Sequence, residues 1–233
     1  MTRKMNLPLR RTGLHRETPF AFSCRRCLSC CRKKKIQINP YEIARLSRNR
    51  GLSTGLFLET YTTDNATYLK FNEEGACVFL DDEGCSVHPD RPLVCRLYPL
   101  GRHVLPNLEE TFSEIEPDTT CRGLYRTDGG LIADYLEEQQ ALPFMAAADR
   151  YLRLFWELYE VLQRNAVAES NRNAIVHVFL GESGDEAVRY DILKDVDEAV
   201  AQYCSKMKLS VPQDLEEKTL IHIRAIEAWA NHR

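Results

Sequence analysis

Four cysteines fall within eight consecutive positions, from Cys24 to Cys31, and this group limits what the chain can fold around. The spacing of two residues between the first cysteines lets a tight turn present neighbouring sulfurs to one ion or cluster. Thiolates held this closely repel one another, whereas Zn²⁺ or cluster iron deprotonates and neutralises them. Buried, reduced cysteines are the alternative, but the flanking Arg25, Arg26 and Arg32 are not a core environment. The group therefore predicts a metal centre.

The remaining cysteines are concentrated in the same half of the chain. Eight of the nine lie before residue 122, and the later ones form no CxxC pair of their own. Zinc ribbons normally supply two such pairs, whereas iron–sulfur clusters accept a close group that a remote cysteine completes. We therefore expect an iron–sulfur cluster, with zinc as the alternative. The predicted metal ligands are Cys24, Cys27, Cys30, Cys31, Cys77, Cys85, Cys95 and Cys121.

The adjacent pair Cys30 and Cys31 bears on the number of centres. Successive side chains of an extended backbone point in opposite directions, so the two sulfurs need not serve the same metal atom. One centre would take Cys24, Cys27 and one member of the pair, while the other member joins the later cysteines. Eight thiols would fill two four-thiolate sites, and one site with several non-ligating thiols also agrees with the ligand count.

Composition places the chain among ordinary globular proteins. Of its 233 residues 44% are hydrophobic, and the formal net charge of -3 does not favour nucleic acid or membrane as a partner. No apolar run approaches the roughly 18 residues that a membrane span needs, and no apolar signal core follows the N-terminus. In a reducing cytosol, nine cysteines indicate metal ligation rather than disulfides. We expect a cytoplasmic protein with no membrane association.

Basic residues are concentrated at the start of the chain. Fourteen of the 31 Lys and Arg residues lie within the first 50 positions, including the run from Arg32 to Lys35. Clustered basic side chains can bind a phosphate backbone, but no aromatic platform or nucleic-acid motif accompanies them. A solvated face is the commoner explanation, so we do not expect nucleic acid as a partner. An unknown protein partner or substrate is left open.

Local signals predict short elements in the first half. Asn39 can cap a helix that carries Glu42 at its third position, and Gly51 can end that helix. Ser53 can cap a second helix, and residues 67–71 alternate as a strand does.

Helical periodicity dominates after about residue 130. Apolar residues over 144–162 recur at three- and four-residue steps and predict an amphipathic helix that Pro143 starts. Two further helices are predicted, one with its apolar face over residues 188–203 and one after Pro212. Residues 175–180 are ambiguous between a short strand and a helical turn.

These signals together predict an α+β, mainly helical fold in which a small, metal-organised cysteine-rich unit packs against a helical C-terminal unit. The predicted division is a basic arm over residues 1–19, a cysteine-cluster metal-binding domain over 20–128 and a helical domain over 129–233. The arm shows no sustained period, so ordered structure should begin near Phe20. Few residues between Glu74 and Arg126 suit a conventional core, so we expect a metal to substitute for one there.

The cysteine motifs carry a resemblance to a known family. The run from Phe22 to Cys31 resembles the signature of the YkgJ-type cysteine-cluster family, the CxxCxxCC proteins described as zinc- or iron-chelating. Three later segments agree in order and spacing with that family's CxFL, CxIY and RPxxCRxYP elements, namely Cys77–Leu80, Cys85–Pro89 and Arg91–Pro99. The resemblance covers residues 20 to 125. Two positions depart from it, because His88 stands where an aromatic residue is common and Arg122 follows Cys121 instead of proline.

The resemblance also implies a class of function. The family includes flagellin lysine N-methylases, in which an iron–sulfur-type centre is coupled to protein methylation. An iron–sulfur protein with a redox or protein-modifying role, acting with S-adenosylmethionine, is therefore the first hypothesis. Because a shared fold does not fix a reaction, a zinc-stabilised interaction module without catalytic activity is the second. No catalytic residue is identified, and no Gly-rich phosphate loop is present.

Five further residues have competing interpretations. His88 is either a metal ligand or a solvent-facing turn residue, and eight thiols already suffice as ligands. Arg91 and Arg96 either hydrogen-bond to cluster sulfurs or form surface salt bridges. Tyr98 is interpreted as a packing residue whose hydroxyl finds a partner. Cys204 lies on a predicted amphipathic helix far from the other cysteines, so we interpret it as an inert thiol.

Overall fold

The computed structural model describes residues 8–63, 68–127, 129–164 and 194–230, and for residues 161–164 it describes the backbone alone. These residues form an α+β fold in which helices predominate, as predicted. The helices are α1 (Pro40–Arg50), α2 (Thr54–Tyr61), α3 (Leu93–Leu97), α4 (Ile132–Glu138), α5 (Leu142–Arg164), α6 (Val196–Met207) and α7 (Leu215–Ala230). The strands are β1 (Leu9–Leu14), β2 (Phe22–Ser23), β3 (Thr62–Thr63), β4 (Tyr68–Leu69), β5 (Leu80–Asp81), β6 (Gly84–Cys85), β7 (Leu100–Val104), β8 (Glu110–Ile115) and β9 (Leu124–Tyr125).

A three-stranded antiparallel sheet, in the order β1-β8-β7, contradicts the prediction that ordered structure begins near Phe20. Strand β1 pairs Leu9 with Ile115, and the carboxylate of Glu114 is buried beneath it. Arg11 donates to that carboxylate at 2.6 Å, and Arg10 forms a second ion pair with it at 3.3 Å. The first strand is thus held by partners about one hundred residues away, which local periodicity cannot reveal.

Helix α1 forms where its capping signals predict it. The Asn39 side chain accepts a hydrogen bond from the Glu42 backbone N–H at 3.0 Å, and Glu42 accepts one from the Asn39 N–H at 2.9 Å. Gly51 ends the helix in the left-handed region, with a φ of 68° that suits glycine. Ser53 caps α2 in the same manner by accepting from the Leu56 N–H.

The C-terminal helices follow the predicted apolar periods where the structure describes them. Helix α5 begins at Leu142, one residue before Pro143, and α7 begins after Pro212 as expected. Helix α6 carries the last part of the face predicted over residues 188–203, whereas its first part lies outside the described residues. The ambiguous segment 175–180 also lies outside them. The strand predicted over 67–71 is described as the two residues of β4, with residue 67 again outside.

Four clusters of buried apolar side chains stabilise the described residues. The sheet core joins β1, β2, β7 and β8 to α4 and the start of α5. The helix core joins Tyr41 of α1 to α5 and α7, and a smaller cluster joins Ala44 of α1 to α6 and α7. The thiol-side core lies entirely within residues 36–95. Three of these four clusters contain residues from both sides of the predicted boundary at residue 128. Most cysteines lie before this boundary, but the hydrophobic packing continues across it.

Candidate metal centre

The first four cysteines lie on a loop that leaves β2 and doubles back on itself. Arg26 and Leu28 both adopt positive φ values, 46° and 65°, and a 3₁₀ turn over Ser29–Cys31 follows. Left-handed residues reverse the chain sharply, at a conformational cost that the surrounding structure must offset. Cys30 and Cys31 thus lie in a turn and not in an extended backbone, and the loop curls its cysteines around one space.

The second cysteine group is brought to this loop by backbone hydrogen bonds. The Cys77 N–H donates to the Cys31 carbonyl at 2.9 Å, which joins the two groups directly. The β5–β6 hairpin pairs Leu80 with Cys85 and so returns Cys85 towards Cys77. Helix α3 carries Cys95, and the cysteines at 77, 85 and 95 all pack against the thiol-side core.

All eight predicted ligands line a single cavity of about 310 Å³. Within the described residues, its wall also contains the basic side chains of Arg25, Arg26, Lys34, Lys35 and Arg91, which we call the basic rim, together with the acid Glu83. The ninth cysteine, Cys204, is buried in α6 within another cluster, and its thiol lies 3.6 Å from the Ser210 carbonyl. The structure therefore separates Cys204 from the eight, as the sequence predicts. All nine cysteines are free thiols.

The thiols deepest in the cavity resist ionisation on their own. Burial raises the pKa of Cys95 well above 9, and the nearby thiols of Cys30, Cys77 and Cys85 raise it further. Cys31 donates a hydrogen bond to Cys30, which lowers the pKa of Cys30 to about 7 and raises that of Cys31. A group of mutually repelling thiolates needs a cation to neutralise it, and a thiophilic metal supplies that charge.

Backbone N–H groups face the sulfurs nearer the surface. The Arg122 N–H donates to Cys27 Sγ at 3.3 Å, and the Gly123 N–H donates to Cys121 Sγ at 3.4 Å. The Arg26 N–H donates in the same way to Cys24 Sγ at 3.4 Å. Burial raises the pKa of Cys27, but the N–H groups of Arg122 and residue 29 outweigh it and leave that pKa lowered. Hydrogen bonds to cysteine sulfurs favour the thiolate that a metal requires.

Gly123 is required by a close approach that the sequence does not reveal. A Cβ at this position would lie 2.1 Å from Cζ of Phe22, whose ring is buried in the sheet core. Only glycine lets the chain after Cys121 pass the Phe22 ring and return its sulfur to the cavity. Cys121 therefore lies with the other seven cysteines although Arg122 replaces the expected proline.

The donor set fits a thiophilic metal in its chemistry. Thiolates select zinc and iron–sulfur clusters over hard cations such as Mg²⁺ and Ca²⁺. Zinc–sulfur bonds are about 2.3 Å long, so a single ion draws its ligands into close contact. Across the described part of the chain, no three His, Cys, Asp or Glu side chains already meet at one such point. The eight cysteines instead line a larger space of about 310 Å³.

His88 lines the cavity but lies beside a cation. The guanidinium of Arg91 lies 3.4 Å from its Nδ1 and donates to the His88 carbonyl at 2.9 Å. Burial, together with the positive charge of Arg91, lowers the pKa of His88 to about 4, so the ring is neutral at pH 7.

Arg96 has neither of the roles that the sequence suggests. Its side chain is only 2% exposed and donates to the carbonyls of Arg91, Gln139 and Pro89. It therefore ties the loop before Cys95 to the end of α4 instead of contacting a sulfur or a surface carboxylate. Arg91 does line the cavity, and its other nitrogen donates to Gln139 Oε1 at 2.9 Å.

Tyr98 and Glu42 form hydrogen bonds that hold the backbone on either side of Cys95. The Tyr98 hydroxyl accepts a hydrogen bond from the Asp118 N–H at 3.2 Å, which agrees with a packing residue whose hydroxyl has a partner. Glu42 was predicted only as a capping residue, yet its second oxygen accepts from the Leu93 N–H at 2.6 Å. Because that N–H belongs to the first turn of α3, Glu42 also fixes the helix that carries Cys95.

Comparison with known proteins agrees with the cysteine geometry. Residues 23–122 match a family model described as "CxxCxxCC: Putative zinc- or iron-chelating domain". The segment that carries all eight cavity cysteines is therefore similar to the CxxCxxCC family. An uncharacterized protein of Methanocaldococcus jannaschii is 27% identical over 122 residues, which cover 51% of this chain and 66% of that protein, just under two thirds of its length. No solved structure matches the chain.

The sequence contains no apolar run long enough to predict a membrane span, and the helices of the structure can be compared with this expectation. Each helix in the described ranges is either too short or too polar to cross a lipid bilayer.

Proposed function

We propose that the CxxCxxCC domain of this protein holds an iron–sulfur centre ligated by its cysteine thiolates. One observation carries the proposal, namely that eight thiols from five separate parts of the chain line one cavity. Cys204, by contrast, lies outside this cavity, in the buried cluster that joins α1 to α6 and α7. The backbone N–H groups that face Cys27 and Cys121 add the hydrogen bonds that tune such centres.

The size of the cavity favours a cluster over a single ion. A zinc site needs four sulfurs at one point, whereas an iron–sulfur cluster places several iron and sulfide atoms between its ligands. The cavity of about 310 Å³, with no donor trio already converged among the described residues, suits the larger group. When bound, such a cluster supplies one-electron transfer or a Lewis-acidic iron. The residues of this chain orient it, shield it from water and set its potential.

The role we propose for this centre is redox chemistry or modification of a protein, as in flagellin N-methylase-like members of the family. The basic rim supports a partner or substrate with an acidic surface, because its cations lie around the cavity among few carboxylates. A site in which cysteines serve as metal ligands and not as disulfides would suit a reducing compartment such as the cytoplasm.

Anaerobic purification with iron, zinc and acid-labile sulfide analysis tests the proposal. We expect a coloured protein that contains iron and sulfide in similar amounts, with absorption that bleaches on reduction. Colourless protein that contains stoichiometric zinc and no sulfide, even after anaerobic reconstitution, would eliminate the iron–sulfur proposal and support a zinc-stabilised interaction module. Protein that binds neither metal would eliminate both.

The zinc module has one observation in its favour. Three cysteines pack against the thiol-side core, so a structural ion bound by them would add its binding free energy to folding. Metal analysis separates this candidate from the cluster without any knowledge of a partner.

A further inference from the structure

The eight thiols of the cavity lie in two groups at different depths. In the inner tier, Cys77, Cys85 and Cys95 pack against the thiol-side core, and Cys31 is joined to them through its carbonyl, which accepts the Cys77 N–H. In the outer tier, Cys24 is exposed, Cys121 packs against the sheet core, and Cys27 is joined to Cys121 through the Arg122 N–H, which donates to the Cys27 sulfur. Cys30 lies between the two tiers.

Separate backbone contacts hold each tier together. In the inner tier, the Cys77 N–H donates to the Cys31 carbonyl, and the β5–β6 hairpin carries Cys85 back beside it. In the outer tier, the Cys27 sulfur accepts the Arg122 N–H, and the hydroxyl of Ser29 donates to the Thr120 carbonyl at 3.0 Å. The two contacts of the outer tier bracket Cys121 on both sides, so its sulfur is held beside Cys27.

Cys30 has neighbours in both tiers. It shares the 3₁₀ turn over Ser29–Cys31 with Cys31, and, together with burial, its charge raises the pKa of Cys121 in the outer tier and of Cys95 in the inner tier. The Cys31 backbone is joined to the inner tier through its carbonyl, which accepts the Cys77 N–H, so Cys30 is the candidate for a fourth outer ligand. The count then becomes four thiols in each tier.

We propose that the cavity holds two neighbouring metal centres, an inner one on Cys31, Cys77, Cys85 and Cys95 and an outer one on Cys24, Cys27, Cys30 and Cys121. This inference rests on the proposed function, since it assigns ligands to the metal proposed there. The outer centre is the more accessible of the two, because Cys24 is exposed whereas the other seven thiols are partly covered. A chelator should therefore reach the outer centre first.

Metal release from the wild-type protein tests the inference without any substitution. On addition of a chelator, we expect the metal to leave in two phases of similar amplitude, with the helical circular dichroism retained after the first. A single phase that removes all metal together would overturn the division.

Single substitutions provide a second test. Cys27→Ser and Cys121→Ser should retain about half of the wild-type metal, and half of any sulfide, with unchanged helical content. Cys204→Ser is the matched control and should retain all of it. Full metal in both outer variants would show that the outer thiols are not ligands, and complete loss in either would show one shared centre. Wild-type protein without any metal would instead reject the proposed function itself.

Discussion

Two charged side chains are buried beside the metal-binding wall, and both act on backbone groups rather than on sulfur. Arg96 is 2% exposed and spans carbonyls from two loops, while Glu42 is 3% exposed and accepts from two N–H groups. The Arg96 guanidinium also lies 3.9 Å from the centre of the Phe144 ring, at the start of α5. These two residues therefore connect the helix of Cys95 to the rest of the fold.

Arg96→Gln should strongly destabilise the protein. The shorter side chain cannot reach all three carbonyls, and buried carbonyls left without a donor cost about 1–3 kcal/mol each. We expect the free energy of unfolding, measured with urea on metal-loaded protein, to fall by about 3 kcal/mol or more. Arg48→Gln, on the exposed face of α1, is the control and should change it by no more than about 0.5 kcal/mol. Equal effects of the two substitutions would contradict this role of Arg96.

Glu42 should make stability depend on pH in an unusual direction. Burial raises its pKa from 4.5 to about 7, despite the N–H groups that lower it. Between these values the folded protein keeps a proton that the unfolded chain releases, so this contribution to stability falls as the pH rises through that range. Glu42→Gln carries no such proton, and its stability relative to wild type should increase from pH 5.5 to pH 7.5. Urea midpoints of both proteins measure this, and a constant difference would refute it.

At the residue scale, the sequence was enough to predict the cysteines, but not the residues that hold the cysteine-bearing segments in place. The close spacing of the first four cysteines, and the concentration of four more in the same half of the chain, identified eight thiols that the structure places around one cavity. The need for glycine at position 123 arises from the Phe22 ring, one hundred residues earlier in the chain. The carbonyls that accept hydrogen bonds from Arg96 are likewise brought to it by tertiary packing, so no local pattern contains them.

At the scale of elements, capping chemistry predicted α1 and α2, whereas sheet pairing was not visible. A cap depends on residues three apart, and the bonds between Asn39 and Glu42 are of this local kind. The pairing of β1 with β8 depends on residues about one hundred apart. The alternation of apolar and polar residues along β1 is weak, because most of its side chains are exposed at the edge of the sheet.

Removing the cap of α1 should destabilise the wall that carries Cys95. Asn39→Ala leaves the Glu42 N–H without its side-chain acceptor, and loss of such a cap costs about 1 kcal/mol. We expect this loss in the urea free energy of unfolding. Asn39→Ser keeps an acceptor at the same position and should restore most of the stability. If the serine variant is as unstable as the alanine variant, the capping bond is not what the substitution removed.

At the scale of the whole molecule, the thiol-side core differs from the other three clusters. It lies within residues 36–95, and three cysteines pack against it. The sheet core and helix core each join the two halves of the chain and have no more than one cysteine packed against them. Loss of the metal should therefore loosen the thiol-side core first, while the helices remain packed on the sheet and on α1.

Limited digestion with a glutamate-specific protease, before and after removal of the metal, tests this order of unfolding. We expect the first new cuts at Glu73, Glu74 and Glu83, which flank Cys77 and Cys85, and later cuts at Glu157 of α5 and Glu217 of α7. Because the sheet core and helix core cross the cut region, the fragments should stay associated on gel filtration under native conditions.

The Cys95→Ser variant, purified without metal, should show the same early cuts as the chelated wild-type protein, whereas Cys204→Ser should resist digestion as the metal-loaded protein does. This contrast separates loss of the metal from loss of a thiol as such, because Cys204 is buried but lies away from the cavity. If Glu157 or Glu217 were cut as early as Glu83 once the metal is gone, the thiol-side core would not be the part of the fold that depends on it. The metal would then stabilise the molecule as a single cooperative unit.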